Sequence, residues 1–363
     1  MKIAVDARPL SPRPTGIGRY TEQILLHLQD RVKWELLSDK AIFTQLKTAH
    51  CHPFCGLGIP RFFKRWLIWQ QGLLPAVIRQ TQADLFWSPR QQLPLFGASN
   101  VPMVLTIHDL VSHKMPETMR YSNYLLEKLL LEKSLRRANH IIAVSESTQK
   151  TLVETFAIPE KKITVIHHGY TALPAQAPID LQPLGITRPF ILFLSTLEPR
   201  KNVDRLLSAY LALSPNLRDQ YQLVLAGGVG WKSEPLLQRI QSLKDSGVVS
   251  LGYVNDALIY NLLKQATVFA FPSLYEGFGL PILEAMSMNC PVLTSTDPAC
   301  VEVSGEAALH VDPLSVDALS NGLQKLLENP SLRQDLIQKG QQNLHRFAWQ
   351  RSAEAHLAVF KKL

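Results

Sequence analysis

Short apolar runs bounded by turn-forming residues alternate with amphipathic segments along the whole chain. The apolar runs are typical of buried strands, and the segments between them repeat apolar positions at helical spacing. Strands that alternate with helices in this way form parallel sheets covered by helices. The predicted strands are Lys2–Val5, Ala83–Ser88, Met103–Ile107, Ile141–Val144, Ile163–Ile166, Phe190–Leu194, Gln222–Leu225, Val268–Phe271 and Val292–Thr294. The pattern therefore predicts an α/β protein.

The length of the chain predicts two domains. Its 363 residues exceed what one ordinary hydrophobic core accommodates, and hydrophobic residues, at 46%, are sufficient for two cores. Residues 170–188 are rich in proline and show little periodicity, which is typical of a linker. We therefore expect a first domain over residues 1–169, a second domain over 189–346 and a closing amphipathic helix over 347–363.

The composition indicates a reduced, cytoplasmic protein. No apolar run reaches the length of about 18 residues that suggests a membrane span. The first residues read as a strand and not as a signal peptide, because Asp6 interrupts the apolar run early. Without a secretory signal, the four cysteines are expected to be reduced. The sequence from His50 to Cys55 lacks a second pair of metal ligands at suitable spacing, so it predicts a variable loop and no metal site.

Positive charge is concentrated in the first half of the chain. Residues 1–169 carry 22 Lys and Arg against 13 Asp and Glu, whereas residues 170–363 carry 16 against 17. This asymmetry favours an anionic partner for the first domain, such as a membrane surface, a lipid phosphate or a nucleic acid. Within Pro60–Leu74, the stretch from Arg61 to Trp69 mixes cations with large aromatic side chains. It predicts either a helix on a membrane surface or a helix packed on the first sheet.

Two loops in the second half have the character of an anion-binding site. After strand Val268–Phe271 comes a glycine-rich loop that contains Glu276, and Pro281 is suited to begin the next helix, which carries Glu284. After strand Phe190–Leu194, Arg200 and Lys201 directly precede a helix, for which Asn202 is the predicted N-cap. Such loops at the carboxyl ends of strands predict a ligand that is anionic and hydroxylated, such as a sugar phosphate.

The segment Glu276-Gly-Phe-Gly-Leu-Pro-Ile-Leu-Glu284 resembles the signature of retaining nucleotide-sugar glycosyltransferases of family 4, and the resemblance extends over nearly the whole chain. It implies a GT-B fold, with two Rossmann-like domains that face each other across a cleft. The first domain would take the acceptor and the second the nucleotide sugar, and the helix over 347–363 would cross back onto the first domain.

The resemblance also implies roles for individual residues. The catalytic candidates are His108, Glu276, Arg200 and Lys201, and the donor-binding candidates are Gly16, Gly18, Tyr253, Val254, Gly277, Phe278, Gly279, Leu280 and Glu284. Tyr253 and Val254 would contact the base, Glu284 the ribose and Glu276 the sugar hydroxyls. Lys201 falls on the family's phosphate-binding lysine. The family's arginine is replaced by Thr196, so we expect Arg200 to supply that charge.

The resemblance implies transfer with retention of anomeric configuration and without a metal or cofactor. We expect front-face attack, in which a donor phosphate oxygen takes the acceptor's proton and His108 orients hydroxyl groups. Many relatives have Pro-Asn before Gly169, where this chain has His167-His168, a difference to which the sequence attaches no chemistry.

The segments Thr-Leu-Glu-Pro-Arg-Lys-Asn and Ile-His-Asp-Leu look closest to bacterial mannosyltransferases of surface-polysaccharide assembly. The expected partners are GDP-mannose, a glycan or polyprenyl-diphosphate-linked acceptor and the inner face of an anionic membrane, but no nucleic acid. Alternatives are a UDP-sugar donor, a nucleotide-sugar epimerase of the same fold, a paired-carboxylate glycosidase and a non-catalytic binding protein.

Overall fold

The structure, a computed structural model, describes residues 1–12, 15–53, 65–98, 100–118, 121–231 and 233–363. The chain forms two compact units, which are described separately. Unit 1 consists of Met1–Leu110, Ser122–Gly169 and Phe347–Leu363, and unit 2 consists of Val111–Tyr121 and Tyr170–Arg346.

Unit 1 is built on a parallel sheet that has seven strands within the described ranges, in the order β3-β2-β1-β4-β5-β6-β7. These strands are β1 (Lys2–Asp6), β2 (Lys33–Ser38), β3 (His50–Pro53), β4 (Leu85–Ser88), β5 (Met103–Ile107), β6 (His140–Ala143) and β7 (Ile163–Val165). From β1 the chain proceeds to β2 on one side, and from β4 to β5 on the other. The strand order therefore reverses between β1 and β4.

Unit 2 is built on a second parallel sheet, which in the described part of the chain has six strands in the order β10-β9-β8-β11-β12-β13. These strands are β8 (Phe190–Leu194), β9 (Gln222–Ala226), β10 (Val248–Gly252), β11 (Val268–Phe271), β12 (Val292–Ser295) and β13 (Ala308–Val311). Here the strand order reverses between β8 and β11. Two parallel α/β sheets of this kind agree with the predicted fold class.

Helices connect the strands and cover both sheets. The α-helices are α1 (Gly16–His27), α2 (Arg65–Ile68), α3 (Leu74–Thr81), α4 (Val111–Lys114), α5 (Tyr121–Arg137), α6 (Glu146–Phe156), α7 (Val203–Leu211), α8 (Pro215–Gln220), α9 (Glu234–Ser242), α10 (Asp256–Gln265), α11 (Leu280–Ser287), α12 (Pro298–Ser304), α13 (Val316–Glu328), α14 (Pro330–Leu344) and α15 (Trp349–Phe360). A π-helical segment joins α2 to α3 (Trp69–Leu73), and single 3₁₀ turns lie at Pro116–Thr118, Glu160–Lys162, Gln182–Leu184, Pro199–Lys201, Lys244–Ser246 and Gly305–Ala307.

The core of unit 1 lies on both faces of its sheet. Successive residues of a strand point to opposite faces, so Leu105 packs into one hydrophobic cluster and Val104 into another. The first cluster includes Leu131 of α5, and the second includes Leu357 of α15. The C-terminal helix thus completes one face of this core, as an apolar stripe on an amphipathic helix is expected to do.

The sequence predicts some elements better than others. Every predicted strand coincides with an observed strand to within two residues at either end, but β2, β3, β10 and β13 were not predicted. The prediction of a loop from His50 onwards is wrong for β3, which pairs in parallel with β2. Its residues lack apolar alternation, but Nε2 of His52 lies 2.7 Å from Oε2 of Glu35 on β2. Backbone pairing and this polar contact outweigh the local preference of the sequence.

The segment Pro60–Leu74 is helical where it is described. Residues 60–64, which include Arg61 and Lys64, lie outside the described residues. Trp69 is buried in the core of unit 1, so for this residue packing on the sheet is the correct alternative and exposure to a membrane is wrong. In the described ranges, no helix has both the length and the apolar character needed to cross a bilayer.

Candidate functional site

The reversal of strand order in unit 2 places two loops side by side. Strands β8 and β11 pair in parallel, with Val268 opposite Ile191 and Phe269 opposite Leu192. The loops that follow them, residues 195–202 and 272–279, therefore leave the sheet at the same edge. In open α/β sheets, ligands bind in the crevice outside the carboxyl ends of the strands, where the strand order reverses.

Hydrogen bonds tie these two loops together. The backbone N–H of Leu274 donates to the carbonyl of Arg200 at 2.8 Å. Nδ2 of Asn202 donates to the carbonyls of Pro272 and Pro313, at 3.1 and 2.7 Å. Asn202 occupies the predicted N-cap position of α7, but it is left-handed (φ 62°) and its side chain makes no cap hydrogen bond. Its amide links three loops at the edge of the sheet instead.

Three predicted catalytic side chains meet between these loops. The carboxylate of Glu276 accepts from Nη1 of Arg200 at 2.9 Å through one oxygen and from Nζ of Lys201 through the other. Arg200 is also ion-paired with Glu198, whose Oε1 lies 2.6 Å from its Nε. Nζ of Lys201 lies 4.9 Å from the centroid of the Phe271 ring, within cation–π distance. We call Glu198, Arg200, Lys201 and Glu276 the ion cluster.

The charges of the ion cluster depend on one another. Burial alone would raise the pKa of Glu276, but the Lys201 and Arg200 cations, with hydrogen bonds from Lys201 and Ser273, lower it to about 2. The pKa of Glu198 is raised by its burial, which the neighbouring cations offset only in part. At neutral pH, Glu276 is ionised and can only accept hydrogen bonds. The cluster thus combines cations suited to a diphosphate with a carboxylate suited to sugar hydroxyls.

Five of the remaining donor candidates of unit 2 lie in the loop and helix that follow Glu276. Gly277, Phe278 and Gly279 form the buried end of the loop that carries Glu276, and Leu280 begins α11. Gly279 has φ 109°, a conformation that favours glycine, and it allows the chain to turn into the helix. Glu284 is half-buried on α11.

The predicted base contacts lie farther along this edge. Tyr253 and Val254 follow β10, the edge strand, which is separated from β8 by β9. Tyr253 is 80% exposed, whereas Val254 is buried. The structure therefore places an accessible aromatic ring at the carboxyl edge of the sheet that carries the ion cluster.

The other predicted site residues, His108, Gly16 and Gly18, belong to unit 1. Gly16 begins α1, and a Cβ atom added there would meet nothing within 4 Å. His108 directly follows β5, and its Nε2 lies 2.8 Å from the carbonyl oxygen of Pro89. Burial lowers the pKa of His108 to about 4, despite the Pro89 hydrogen bond and the nearby Asp109. His108 is therefore neutral at neutral pH.

Two carboxylates near the site were missed from the sequence. Glu198 belongs to the segment Thr-Leu-Glu-Pro-Arg-Lys-Asn, but nothing in the local sequence shows that it pairs with Arg200. Asp297 follows β12 and accepts from the backbone amides of Ala299 and Cys300, at 3.2 and 3.3 Å. It also accepts from the backbone N–H of Glu276, and burial raises its pKa to about 6. The Asp-Pro sequence signals a helix start, but the contact with Glu276 depends on the tertiary fold.

Among the residues that the structure describes, no group of three or more His, Cys, Asp or Glu side chains is arranged to hold a metal ion.

Two family models match the chain. The model described as Glycosyltransferase Family 4 matches residues 14–171, and the model described as Glycosyl transferases group 1 matches residues 179–343. The first match covers much of unit 1, and the second covers the ion cluster and both of its loops. Together they leave only short segments of the chain unmatched.

Curated relatives and solved structures give the same result. O-antigen chain mannosyltransferase B of Escherichia coli is 32% identical over 267 residues, which are 72% of this chain and 70% of that protein. The serotype-specific mannosyltransferase WbdA of Escherichia coli is 30% identical over 284 residues, 72% of this chain, but the match spans only 34% of WbdA. The crystal structure of HepE from Anabaena, in complex with UDP and glucose, has a TM-score of 0.75 at 21% identity and covers 100% of this chain and 99% of HepE.

The fold, the signature segment and these matches lead to one conclusion, which confirms the resemblance seen in the sequence. The chain belongs to family 4 of the glycosyltransferases and has the GT-B fold, in which two parallel-sheet α/β units form one enzyme.

Proposed function

We propose that the chain transfers mannose from GDP-mannose, with retention of configuration, to a glycan or polyprenyl-diphosphate-linked acceptor during assembly of a surface polysaccharide. The observation that carries the proposal is the meeting of Arg200, Lys201 and Glu276 where the strand order of unit 2 reverses. The choice of mannose is supported by the names of the relatives, which are O-antigen and serotype-specific mannosyltransferases.

Unit 2 would bind the donor. Lys201 and Arg200 would contact the diphosphate together with the amides at the start of α11, where the helix dipole favours an anion. Glu284 would accept from the ribose hydroxyls, and Tyr253 would lie against the base. Negative charge grows on the diphosphate as the bond to the sugar breaks, so the same cations would stabilise the transition state more than the ground state. This step needs no metal ion.

Glu276 would hold the transferred sugar. Because its pKa is about 2, it stays ionised across the pH range of an ordinary assay and accepts hydrogen bonds from sugar hydroxyls. It therefore does not serve as a general acid at neutral pH, which distinguishes its role from that of the protonated carboxyl group in a glycosidase pair.

Unit 1 would bind the acceptor. An acceptor hydroxyl oxygen would form the new bond to the anomeric carbon on the face that the diphosphate leaves. The hydroxyl proton would pass to an oxygen of the departing diphosphate, so that GDP leaves with the proton and the electron pair of the broken bond. Neutral His108 would orient a substrate hydroxyl by accepting a hydrogen bond from it.

The cellular location that we propose is the cytoplasmic face of an anionic membrane, held by peripheral contacts. The excess of cations in residues 1–169 supports this, because each cation near such a surface contributes about 1 kcal/mol at low salt. Ile68, which lies three residues after Arg65 in the sequence, is 38% exposed and offers an apolar contact.

The donor assignment is tested by a screen of nucleotide sugars. The purified chain is incubated with a mannose-terminated, lipid-diphosphate-linked oligosaccharide and with GDP-mannose, UDP-glucose or UDP-N-acetylglucosamine, and the release of nucleoside diphosphate is measured. We expect acceptor-dependent release of GDP from GDP-mannose and an α-linked product by NMR. Release from a UDP-sugar alone would overturn the choice of donor, and an absence of release from every donor would overturn the proposed function.

The two glutamates of the signature are expected to act on different parts of the donor. Glu276→Gln should lower kcat on the order of 100-fold, as loss of a preorganised electrostatic contact does, without weakening GDP binding. Glu284→Gln should raise the Kd for GDP about tenfold, because one charged hydrogen bond contributes about 1.5 kcal/mol or more. Steady-state kinetics and calorimetry measure these effects. Glu328→Gln, an exposed change on α13, is the control, and equal Kd values for Glu284→Gln and wild type would remove Glu284 from the ribose site.

Membrane association is tested by co-sedimentation with anionic liposomes at low and high salt. We expect binding at low salt, release at high salt because exposed charges are screened, and weaker binding when Arg61, Lys64 and Arg65 are all changed to Ser. The control changes three exposed lysines of unit 2 to Ser and so removes the same charge (Lys244, Lys264 and Lys325). If both triple variants sediment to the same extent as wild type at low salt, the basic stretch has no role in binding.

A further inference from the structure

A chain of buried hydrogen bonds runs through unit 1 from the sheet to the C-terminal helix. Nε1 of Trp87 donates to Oγ1 of Thr106 at 3.0 Å, and Oη of Tyr20 lies 3.1 Å from the same Thr106 oxygen. Oη of Tyr20 also lies 2.6 Å from Nε2 of His356 on α15. Nδ1 of His356 lies 2.7 Å from the carbonyl of Ser352, one helical turn earlier. We call Trp87, Thr106, Tyr20 and His356 the buried relay.

The direction of every hydrogen bond in the buried relay is set by its two ends. A carbonyl only accepts, so Nδ1 of His356 carries the proton that is donated to Ser352. His356 is neutral, since burial lowers its pKa to about 4, so its Nε2 accepts the Tyr20 hydroxyl proton. The Tyr20 oxygen then accepts from Thr106, and the Thr106 oxygen accepts from Trp87, which can only donate. All these buried polar groups are satisfied, which makes the arrangement rigid.

The ring of Tyr20 connects the buried relay to His108. It meets the His108 ring edge to face, with centroids 4.9 Å apart and planes at 83°, and it meets the His168 ring at 4.8 Å and 69°. The rings of His108 and His168 stack on each other, 5.3 Å apart and only 15° from parallel. His108 is thus held on one side by Tyr20 and on one face by His168, which is itself buried.

The start of α15 reinforces this arrangement. A Cβ atom added at Gly169 would lie 2.3 Å from the backbone nitrogen of Trp349, so the chain after His168 passes directly against the beginning of the helix. The Trp349 ring lies 6.0 Å from the His168 ring and 6.3 Å from the Tyr20 ring. His168 and Tyr20 are therefore confined by α15 from a second direction.

The orientation of His108 determines what it can do. Its Nε2 donates to the Pro89 carbonyl, so in the neutral ring Nδ1 carries the lone pair and can accept a hydrogen bond from a hydroxyl group. Protonation of His108 would remove that capacity. The protonated His108 ring would be disfavoured by the nearby Arg90 and favoured by Asp109. The stacked His168 also interacts with His167 and His356.

We propose that Tyr20, His168 and His356 are positioning residues for His108, through which the C-terminal helix holds the His108 ring as a fixed hydrogen-bond acceptor. The proposal rests on the proposed function of His108 as a group that orients a substrate hydroxyl. It assigns a role to His168, at a position where many members of the family have a different residue. It also explains why α15, which begins 180 residues after Gly169, contributes a buried histidine that packs on the sheet of unit 1.

The decisive variant is Tyr20→Phe, which keeps the ring against His108 and removes the hydroxyl group of the buried relay. We expect kcat to fall about 10- to 100-fold, as a small misplacement of a reacting group costs, with little change in KM for the donor. Loss of the hydroxyl frees the Tyr20 ring to move and lets water reach His108, so the burial that lowers its pKa is relieved. The acid limb of the pH–rate profile, which reports protonation of His108, should therefore move to higher pH than in the wild type. Nitrogen-15 NMR of the His108 ring measures the same shift and the tautomer without any turnover.

The matched control is His140→Asn, on β6 of the same unit, where Nε2 of His140 lies 2.8 Å from Oγ1 of Thr164. This change also removes a histidine–hydroxyl hydrogen bond and should lower the melting temperature, but it should leave kcat and the titration of His108 unchanged. If Tyr20→Phe does not fold, His356→Gln replaces it. The glutamine side-chain oxygen can still accept from Tyr20, so this variant should show the same changes in kcat and in the His108 titration, but smaller ones.

The outcomes separate the two proposals. If the wild type transfers no sugar, the proposed function fails, while the NMR titration still reports on the positioning of His108. If the wild type is active and Tyr20→Phe changes kcat and the His108 titration no more than His140→Asn does, Tyr20 contributes only stability and the positioning role is wrong.

Discussion

Two cations share one buried carboxylate at the carboxyl edge of unit 2, and the proposed donor site depends on these three side chains. Removing any of these charges from water is costly, and loss of one partner from a buried pair typically costs about 3–5 kcal/mol. Arg200 and Lys201 avoid that cost by pairing with Glu276 and, for Arg200, also with Glu198. Since Arg200 and Lys201 follow β8 and Glu276 follows β11, their mutual attraction also fixes the two loops against each other. The site is therefore organised before a donor arrives.

This pre-organisation has a consequence for binding. In the proposed function, a nucleotide diphosphate would bring negative charge to cations that are already paired with Glu276, so Glu276 would oppose the leaving group electrostatically while it holds the sugar. The two cations would nevertheless favour the transition state over the ground state, because the diphosphate gains its full charge only as the bond to the sugar breaks. In unit 1, by contrast, His108 is kept neutral by burial. Its ring is held by the Tyr20 and His168 rings and, through Tyr20, by the buried relay.

The sequence identifies the residues at the carboxyl edge of unit 2 where the signal is local. The spacing of Glu276 and Glu284 across a glycine-rich loop, and the adjacent cations Arg200 and Lys201 before a helix, can be recognised without a structure. Features that depend on partners far away in the sequence cannot be recognised in this way. The side chain of Asn202 bonds to Pro272 and Pro313 and does not cap its helix, because tertiary carbonyls compete for it. The role of His356 depends on Tyr20, which is separated from it by most of the chain.

The central claim, that Glu276 neutralises the cations which the donor diphosphate needs, is tested most directly by a double-mutant cycle. Calorimetry would give the affinity for GDP of the wild type, Lys201→Met, Glu276→Gln and the double variant, with guanosine as the ligand that lacks a diphosphate. We predict that Glu276→Gln binds GDP more tightly than the wild type, that this gain disappears when Lys201 is also changed, and that the coupling exceeds about 0.5 kcal/mol. Affinity for guanosine should not change. Weaker binding of GDP by Glu276→Gln, or strictly additive effects, would contradict the account.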